Sequence, residues 1–166
     1  MATEHQNLSY FNEKDVPNGA QFKIGIVVSE WNSEITLNLL KGAKETLIEC
    51  GVVESNILIH FVPGTFELAL GSQFLFESTD VDAAIAIGVV IQGETKHFDF
   101  VCHGATQGIM DVSLKYNKHV SFCVLTDLNI QQSIDRSGGK HGNKGVECAI
   151  AALKMIQLQK NLSKKS

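Results

Sequence analysis

The sequence lacks most features that would tie it to a specialised environment or to metal chemistry. Its densest apolar run, Ala83 to Ile91, is about nine residues where a membrane-spanning helix needs ~20, so no span is expected. No lysine/arginine block interleaves with aromatics, apart from Lys164-Lys165 at the end, and the formal charge is −4. Nucleic acid therefore has no electrostatic footing. The four cysteines, Cys50, Cys102, Cys123 and Cys148, contain no C-x-x-C pair. They read as small buried hydrophobes rather than disulfides or metal ligands. The six histidines show no H-E-x-x-H spacing, and no metal site is expected. Neither G-x-G-x-x-G nor G-x-x-x-x-G-K-[ST] occurs, which disfavours dinucleotide and P-loop readings. The opening MATEHQNLSYFNEKD is polar, without the apolar core of a signal peptide, so a cytoplasmic protein is expected.

What is present is an ordinary globular composition, 44% hydrophobic and 19% charged over 166 residues, about one domain by length. Residues 1–21, with the turn signal Pro17-Asn18-Gly19, read as an N-terminal arm. Residues 22–160 read as a single domain and 161–166 as a polar tail. Within the domain, β-branched runs at Ile24–Val28, Ile57–Val62, Ala83–Ile91 and Val120–Thr126 alternate with stretches of helical spacing. Ile35, Leu39, Ala43 and Leu47 make the first such face, with Asn32 or Ser33 as its cap. A short helix is expected from Phe66 to Glu77. Phe98, Val101, Cys102, Ala105, Ile109 and Val112 make the third face, and Val146, Ala149, Ile150, Leu153 and Ile156 the last. Continuous apolar strands alternating with helices imply a parallel sheet covered on both faces. The expected fold is an α/β three-layer sandwich around a four-stranded, doubly wound, flavodoxin-like sheet. So small a sheet leaves apolar helix surface uncovered, and self-association is expected.

In such a sheet ligands bind outside the carboxyl ends of the strands, which selects four loops. Trp31, the only tryptophan, follows the first strand. It either packs a helix against the sheet edge or stacks on a planar heterocycle. Glu67 opens the second helix, where it suits the dipole or accepts bonds from a polyhydroxylated ligand. Gly93-Glu94-Thr95 precedes the third helix and is either a plain turn or an anion site made of loop amides. His97 lies just beyond, a structural histidine or a proton shuttle near neutral pH, with Asp99 as a candidate to orient its ring. Asp135 to Gly145 concentrates four glycines with Arg136, Lys140 and Lys144. It reads as a mobile hinge or as a phosphate rim, for which arginine's planar fork is suited.

Three longer motifs in order resemble one family. Gly88-Val89-Val90-Ile91-Gln92-Gly93-Glu94-Thr95-Lys96-His97-Phe98-Asp99-Phe100-Val101-Cys102 is similar to the signature of lumazine synthases. Val62-Pro63-Gly64-Thr65-Phe66-Glu67 resembles the family's V-P-G-[AS]-[FY]-E turn. Asp135-Arg136 through Gly142-Asn143-Lys144-Gly145 resembles its [ED]-R-[AS]-G-x-K-x-G-N-K-G segment. The resemblance runs from about Phe22 to Leu158. It implies condensation of 5-amino-6-(D-ribitylamino)uracil with 3,4-dihydroxy-2-butanone 4-phosphate to 6,7-dimethyl-8-ribityllumazine, phosphate and water, the penultimate step of riboflavin biosynthesis. By position it implies that Trp31 stacks on the pyrimidine. Thr65, Phe66 and Glu67 would meet the ribityl chain, and Val89, Val90 and Ile91 would line the heterocycle through backbone groups. Glu94, Thr95 and Arg136 would hold phosphate, His97 would transfer protons, and Phe122 of a neighbouring subunit would close the ring pocket.

No metal, redox cofactor or covalent nucleophile is implied. The resemblance also implies an arm that adds a strand to a neighbour's sheet, pentamers as the minimum assembly, and sixty-subunit icosahedral shells, with riboflavin synthase as a candidate partner. The insertion-free link Gly138–Asn143 has the form found in shell-forming members. Gln92 departs from a common arginine, Thr65 from alanine or serine, and Asp135 from glutamate. Gln92 removes one positive charge from the phosphate rim. Two rivals stand beside the enzyme: a module that binds flavin or lumazine without turnover, and a shell protein with a decayed site. The joint presence of His97, Arg136 and Glu67 argues against both.

Overall fold

The computed structural model describes residues 7–163; the first six residues of the expected arm and the last three of the tail lie outside them. Strands β1 (Ile24–Ser29), β2 (Ile57–Val62), β3 (Ala83–Ile91) and β4 (Val120–Asp127) form one sheet in the order β2-β1-β3-β4. Every pairing is parallel. The four expected strands are all present, β1 and β4 each one residue longer than expected. All six β1 residues and the first seven of β3 are buried, as the central strands of a sheet covered on both faces must be.

Side chains of β1 alternate between two cores. Ile24, Ile26 and Val28 pack beneath α1 (Ser33–Glu49) and α5 (Lys144–Ser163), while Val27 joins the core under α2 (Leu68–Ser78) and α3 (His97–Tyr116). The fourfold-spaced face of α1 is fully buried at Ile35, Leu39, Ala43 and Leu47. On α3 only Ala105, Ile109 and Val112 of the expected face are buried; Phe98, Val101 and Cys102 are half-buried. The reason is geometric, since the first turns of α3 project past the sheet at the carboxyl end of β3. Likewise Cys123 and Cys148 are buried, whereas Cys50 and Cys102 are half-buried, and none of the four is in a disulfide. Among the described residues no helix is long and apolar enough to cross a membrane.

The glycine-rich stretch departs from the hinge reading. A short helix, α4 (Ile130–Arg136), leads into a hairpin of β5 (Ser137–Gly139) and β6 (Gly142–Asn143). Gly138 and Gly142 have φ of 116° and 84°, values that favour glycine. Asn143 pins the hairpin: its Nδ2 donates to the Asn38 carbonyl (2.8 Å), its Oδ1 accepts from the Gly145 amide (2.8 Å), and its amide donates to Ser9 Oγ (2.9 Å). In the single chain, residues 7–9 of the arm lie on this hairpin, the Leu8 amide donating to the His141 carbonyl. No strand forms among the described arm residues, which contain only a 3-10 turn at Glu13–Asp15. At the other end, α5 continues to Ser163, past the expected start of the tail.

Helices α1 and α5 approach closely where Gly145 meets α1. A Cβ at 145 would sit 2.0 Å from the Leu39 carbonyl oxygen and 2.9 Å from the Ala43 nitrogen. Both are backbone atoms and cannot swing aside. Gly145→Ala is therefore expected to cost about 1–3 kcal/mol, the usual range for overpacking, read as a lower urea midpoint; an unchanged midpoint would show that the helices separate freely.

Candidate active site

The strands do not end level. β1 pairs with β3 only as far as Val28 opposite Ile87, whereas β3 and β4 continue to Ile91 opposite Asp127. The last four residues of β3 therefore run past β1. The Ala84 and Gln92 amides donate to the His119 and Asp127 carbonyls, so even-numbered residues of β3 direct their backbone groups toward β4. By strand alternation the backbone of Val89 and Ile91 faces the opposite side, where β1 has ended. An open cleft of about 620 Å³ occupies that space.

Its walls come from two loops, the end of β3 and one helix. Trp31, Asn32, Gly64, Thr65, Phe66, Glu67, Val89, Val90, Ile91, His97, Phe100 and Val101 line it. The turn bearing Trp31 is held by the Glu30 amide, which donates to the Val62 carbonyl at the end of β2. Asn32 occupies the cap position of α1 in a left-handed conformation, φ 56°, and its side chain makes no capping bond; the anticipated side-chain cap is absent at this helix. Trp31, Phe66 and Phe100 are 71%, 59% and 72% exposed, three large apolar faces around one opening.

Thr65 opens a 3-10 turn, Thr65–Glu67, that runs into α2, so the expected helix from Phe66 begins as a tighter coil. The Thr65 hydroxyl is buried and donates to the Val89 carbonyl across 3.2 Å. Gly88 makes room for it, since a Cβ there would lie 2.7 Å from Thr65 Oγ1. Of the expected backbone contacts from β3, the Val89 carbonyl is thus already engaged and Val90 directs its backbone toward β4, leaving Ile91 to present its polar groups. The structure also brings in Asn32, Gly64, Phe100 and Val101. Phe100 stands in the motif that carries His97, but an aromatic in a predicted helix gives no sign that it faces outward.

His97 is the first residue of α3 and is exposed; its amide donates to Thr95 Oγ1 (3.4 Å). Among the described residues no hydrogen bond links its ring to Asp99. The Asp99 carbonyl instead faces Nδ1 of His103 (3.0 Å), so the candidate orienting contact is not made. Glu94 and Thr95 are exposed just before α3, at the positive end of a 20-residue helix dipole. Cys102 follows the lining residue Val101; burial and, secondarily, the charge of Asp99 raise its thiol pKa. It stays protonated at neutral pH and is a poor nucleophile.

Four expected residues are absent from the walls of this cleft: Glu94 and Thr95 stay on the loop before α3, and Phe122 and Arg136 lie farther off. Phe122 is on β4 opposite Ala86, five residues before Ile91, or roughly 16 Å back along the strand. Arg136 closes α4 and donates from Nη1 to its own helix at the Gln132 carbonyl (3.0 Å). Lys144, beside Arg136's hairpin, is ion-paired to Glu147 at 2.7 Å. Burial is the largest single influence and opposes its charge, but the hydrogen bond and charge of Glu147, together with Cys148 and other smaller contributions, leave its pKa raised.

A parallel doubly wound sheet with an aromatic-walled cleft at its carboxyl ends and a free histidine on the rim defines an α/β protein built to hold small planar ligands. Within that class the chain belongs to the 6,7-dimethyl-8-ribityllumazine synthase family, whose sequence model matches residues 21–160. It is 56% identical over 98% of its length to the 6,7-dimethyl-8-ribityllumazine synthase of Flavobacterium johnsoniae, covering 86% of that protein. It is 57% identical over 97% of its length to that of Christiangramia forsetii, covering 96%. The Porphyromonas gingivalis enzyme of the same name is 50% identical over 96% of this chain, with 99% of that protein covered.

The Thr65 bond makes a separable prediction. Thr65→Val keeps the shape but leaves the Val89 carbonyl unpaired, and is expected to cost about 1–3 kcal/mol. Thr65→Ser keeps the donor and should retain most of that stability in urea unfolding. Equal losses would assign the effect to packing alone.

Proposed function

We propose that the chain condenses 5-amino-6-(D-ribitylamino)uracil with 3,4-dihydroxy-2-butanone 4-phosphate, giving 6,7-dimethyl-8-ribityllumazine, inorganic phosphate and water. The observation that carries the reading is the cleft itself, where Trp31, Glu67, the β3 terminus and His97 surround one opening. Family membership supports it, and the relatives named above are all called synthases rather than binding or shell proteins.

The reaction asks little of covalent chemistry. The pyrimidine amine adds to the ketone with loss of one water, phosphate leaves, and the ribityl-bearing amine closes the ring on the remaining carbonyl with loss of a second water. Trp31 offers an aromatic face to the pyrimidine. Glu67 accepts hydroxyls of the ribityl chain beside Phe66, and the backbone of Ile91 meets the polar edge of the ring. His97, whose ring makes no bond within the described chain, moves protons at the condensing centre. The loop amides of Glu94 and Thr95 at the dipole of α3 receive the phosphate. Holding both reactants in one geometry supplies much of the acceleration.

Phe122 and Arg136 fit this scheme as contributions from an adjacent subunit, because in their own chain they stand off the cleft. A pentamer with sites at its interfaces supplies them. Exposed apolar side chains on several elements, including Phe61 on the edge strand β2 and Leu114 on α3, support such burial between copies, and the free edge of β2 suits an added strand from a neighbour's arm.

His97→Ala is expected to lower kcat by about 10²–10⁴-fold while leaving measurable turnover, since approximation survives loss of the proton shuttle. Arg136→Ala should chiefly raise KM for the butanone phosphate. Steady-state kinetics with each substrate varied in turn separate the two effects. Wild-type turnover in His97→Ala would remove that residue from the chemistry, and an unchanged butanone phosphate KM in Arg136→Ala would place the phosphate elsewhere.

A further inference from the structure

The wall of the cleft formed by Phe66 depends on a residue outside it. Gly104 lies two turns into α3, on the side of the helix that faces the 3-10 turn. A Cβ there would fall 2.4 Å from Cε2 and 3.1 Å from Cδ2 of Phe66. The ring therefore lies directly against bare helix backbone, closer than any side-chain-bearing residue would allow. One turn on, Gly108 similarly accommodates Ala69, whose Cβ would be 2.7 Å away. The two glycines let α2 and its leading turn settle onto α3. Phe66 nevertheless remains 59% exposed and has open cleft on its other side, so the ring is the part free to move.

We propose that Gly104 is a specificity-determining position: by leaving room for the Phe66 ring against α3, it sets the width of the cleft at the end that takes the ribityl-bearing pyrimidine. The inference rests on the reading of the cleft given above and adds to it a residue that touches no substrate. A methyl group at 104 displaces the ring outward into the cleft, because the other obstacle, the α3 backbone, is fixed by its burial at Ala105 and Ile109. The phosphate end, formed by the loop before α3, is unaffected.

The test uses Gly104→Ala, Phe66→Leu and the double variant as intact assemblies. Alanine favours the helix over glycine, so Gly104→Ala retains the fold. Binding of 5-amino-6-(D-ribitylamino)uracil is read through quenching of Trp31, the only tryptophan, and steady-state kinetics give KM for each substrate. Gly104→Ala should weaken the pyrimidine roughly ten-fold while leaving the butanone phosphate KM unaltered. Phe66→Leu in the same background should return pyrimidine affinity to that of Phe66→Leu alone. An unchanged pyrimidine Kd would overturn the proposal, as would a loss of kcat and of both affinities that Phe66→Leu does not rescue, since α3 and His97 would then have moved. A crystal structure of Gly104→Ala decides the geometry by itself: the ring turned into the cleft supports the proposal, and the ring in place overturns it. If the wild-type protein neither binds the pyrimidine nor turns it over, the proposed function fails while that structure still settles the role of Gly104.

Discussion

The unequal length of two neighbouring strands is the constraint from which the site follows. β3 outruns β1 by the segment Gly88–Ile91, and in a parallel sheet the exposed side of that overhang carries backbone groups with no strand to receive them. Thr65 satisfies one of these from the next loop, at the Val89 carbonyl. That bond fixes the 3-10 turn, and the turn in turn directs Phe66 and Glu67 into the space left by β1. On the other side, α3 starts only after the overhang and its loop are complete, which places His97 at the rim rather than over the core. Gly88 and Gly104 lie behind Thr65 and Phe66 respectively, each a missing side chain that permits a close approach.

The four strands were legible because central parallel strands must be apolar on both faces, and runs such as Ala83–Ile91 admit few other readings. The long helices were legible from fourfold spacing, most cleanly in α1. α4 was not, since seven residues are too few for a periodic pattern to stand out beside a glycine-rich stretch. That stretch looked like a hinge by composition. Its bonds to Asn38 and Ser9 join residues far apart in sequence, and composition carries no trace of them.

The candidate site divides in the same way. Residues that directly follow strands, such as Trp31, Glu67 and His97, could be placed by the rule that ligands bind at strand carboxyl ends. Thr65 was singled out with its motif, but the destination of its hydroxyl depends on a strand 24 positions away. Phe122 came from family resemblance alone and Arg136 also from the basic, glycine-rich composition around it, and the geometry of one chain holds both away from the cleft. Their separation is physical: a strand runs straight, so a residue in the middle of β4 does not reach the end of its own sheet. In the proposed pentamer a neighbouring copy would supply both.

The account's central claim is that this cleft brings an amine and a ketone phosphate together and lets them condense. The direct measurement follows lumazine fluorescence and released phosphate in parallel after both purified substrates are mixed with the protein. The account predicts one phosphate per lumazine, formed well above the uncatalysed rate, and no phosphate release from the butanone phosphate alone. Quenching of Trp31 by the pyrimidine with no lumazine formed above the uncatalysed rate would contradict it, because the cleft would then bind its ligand without performing the reaction.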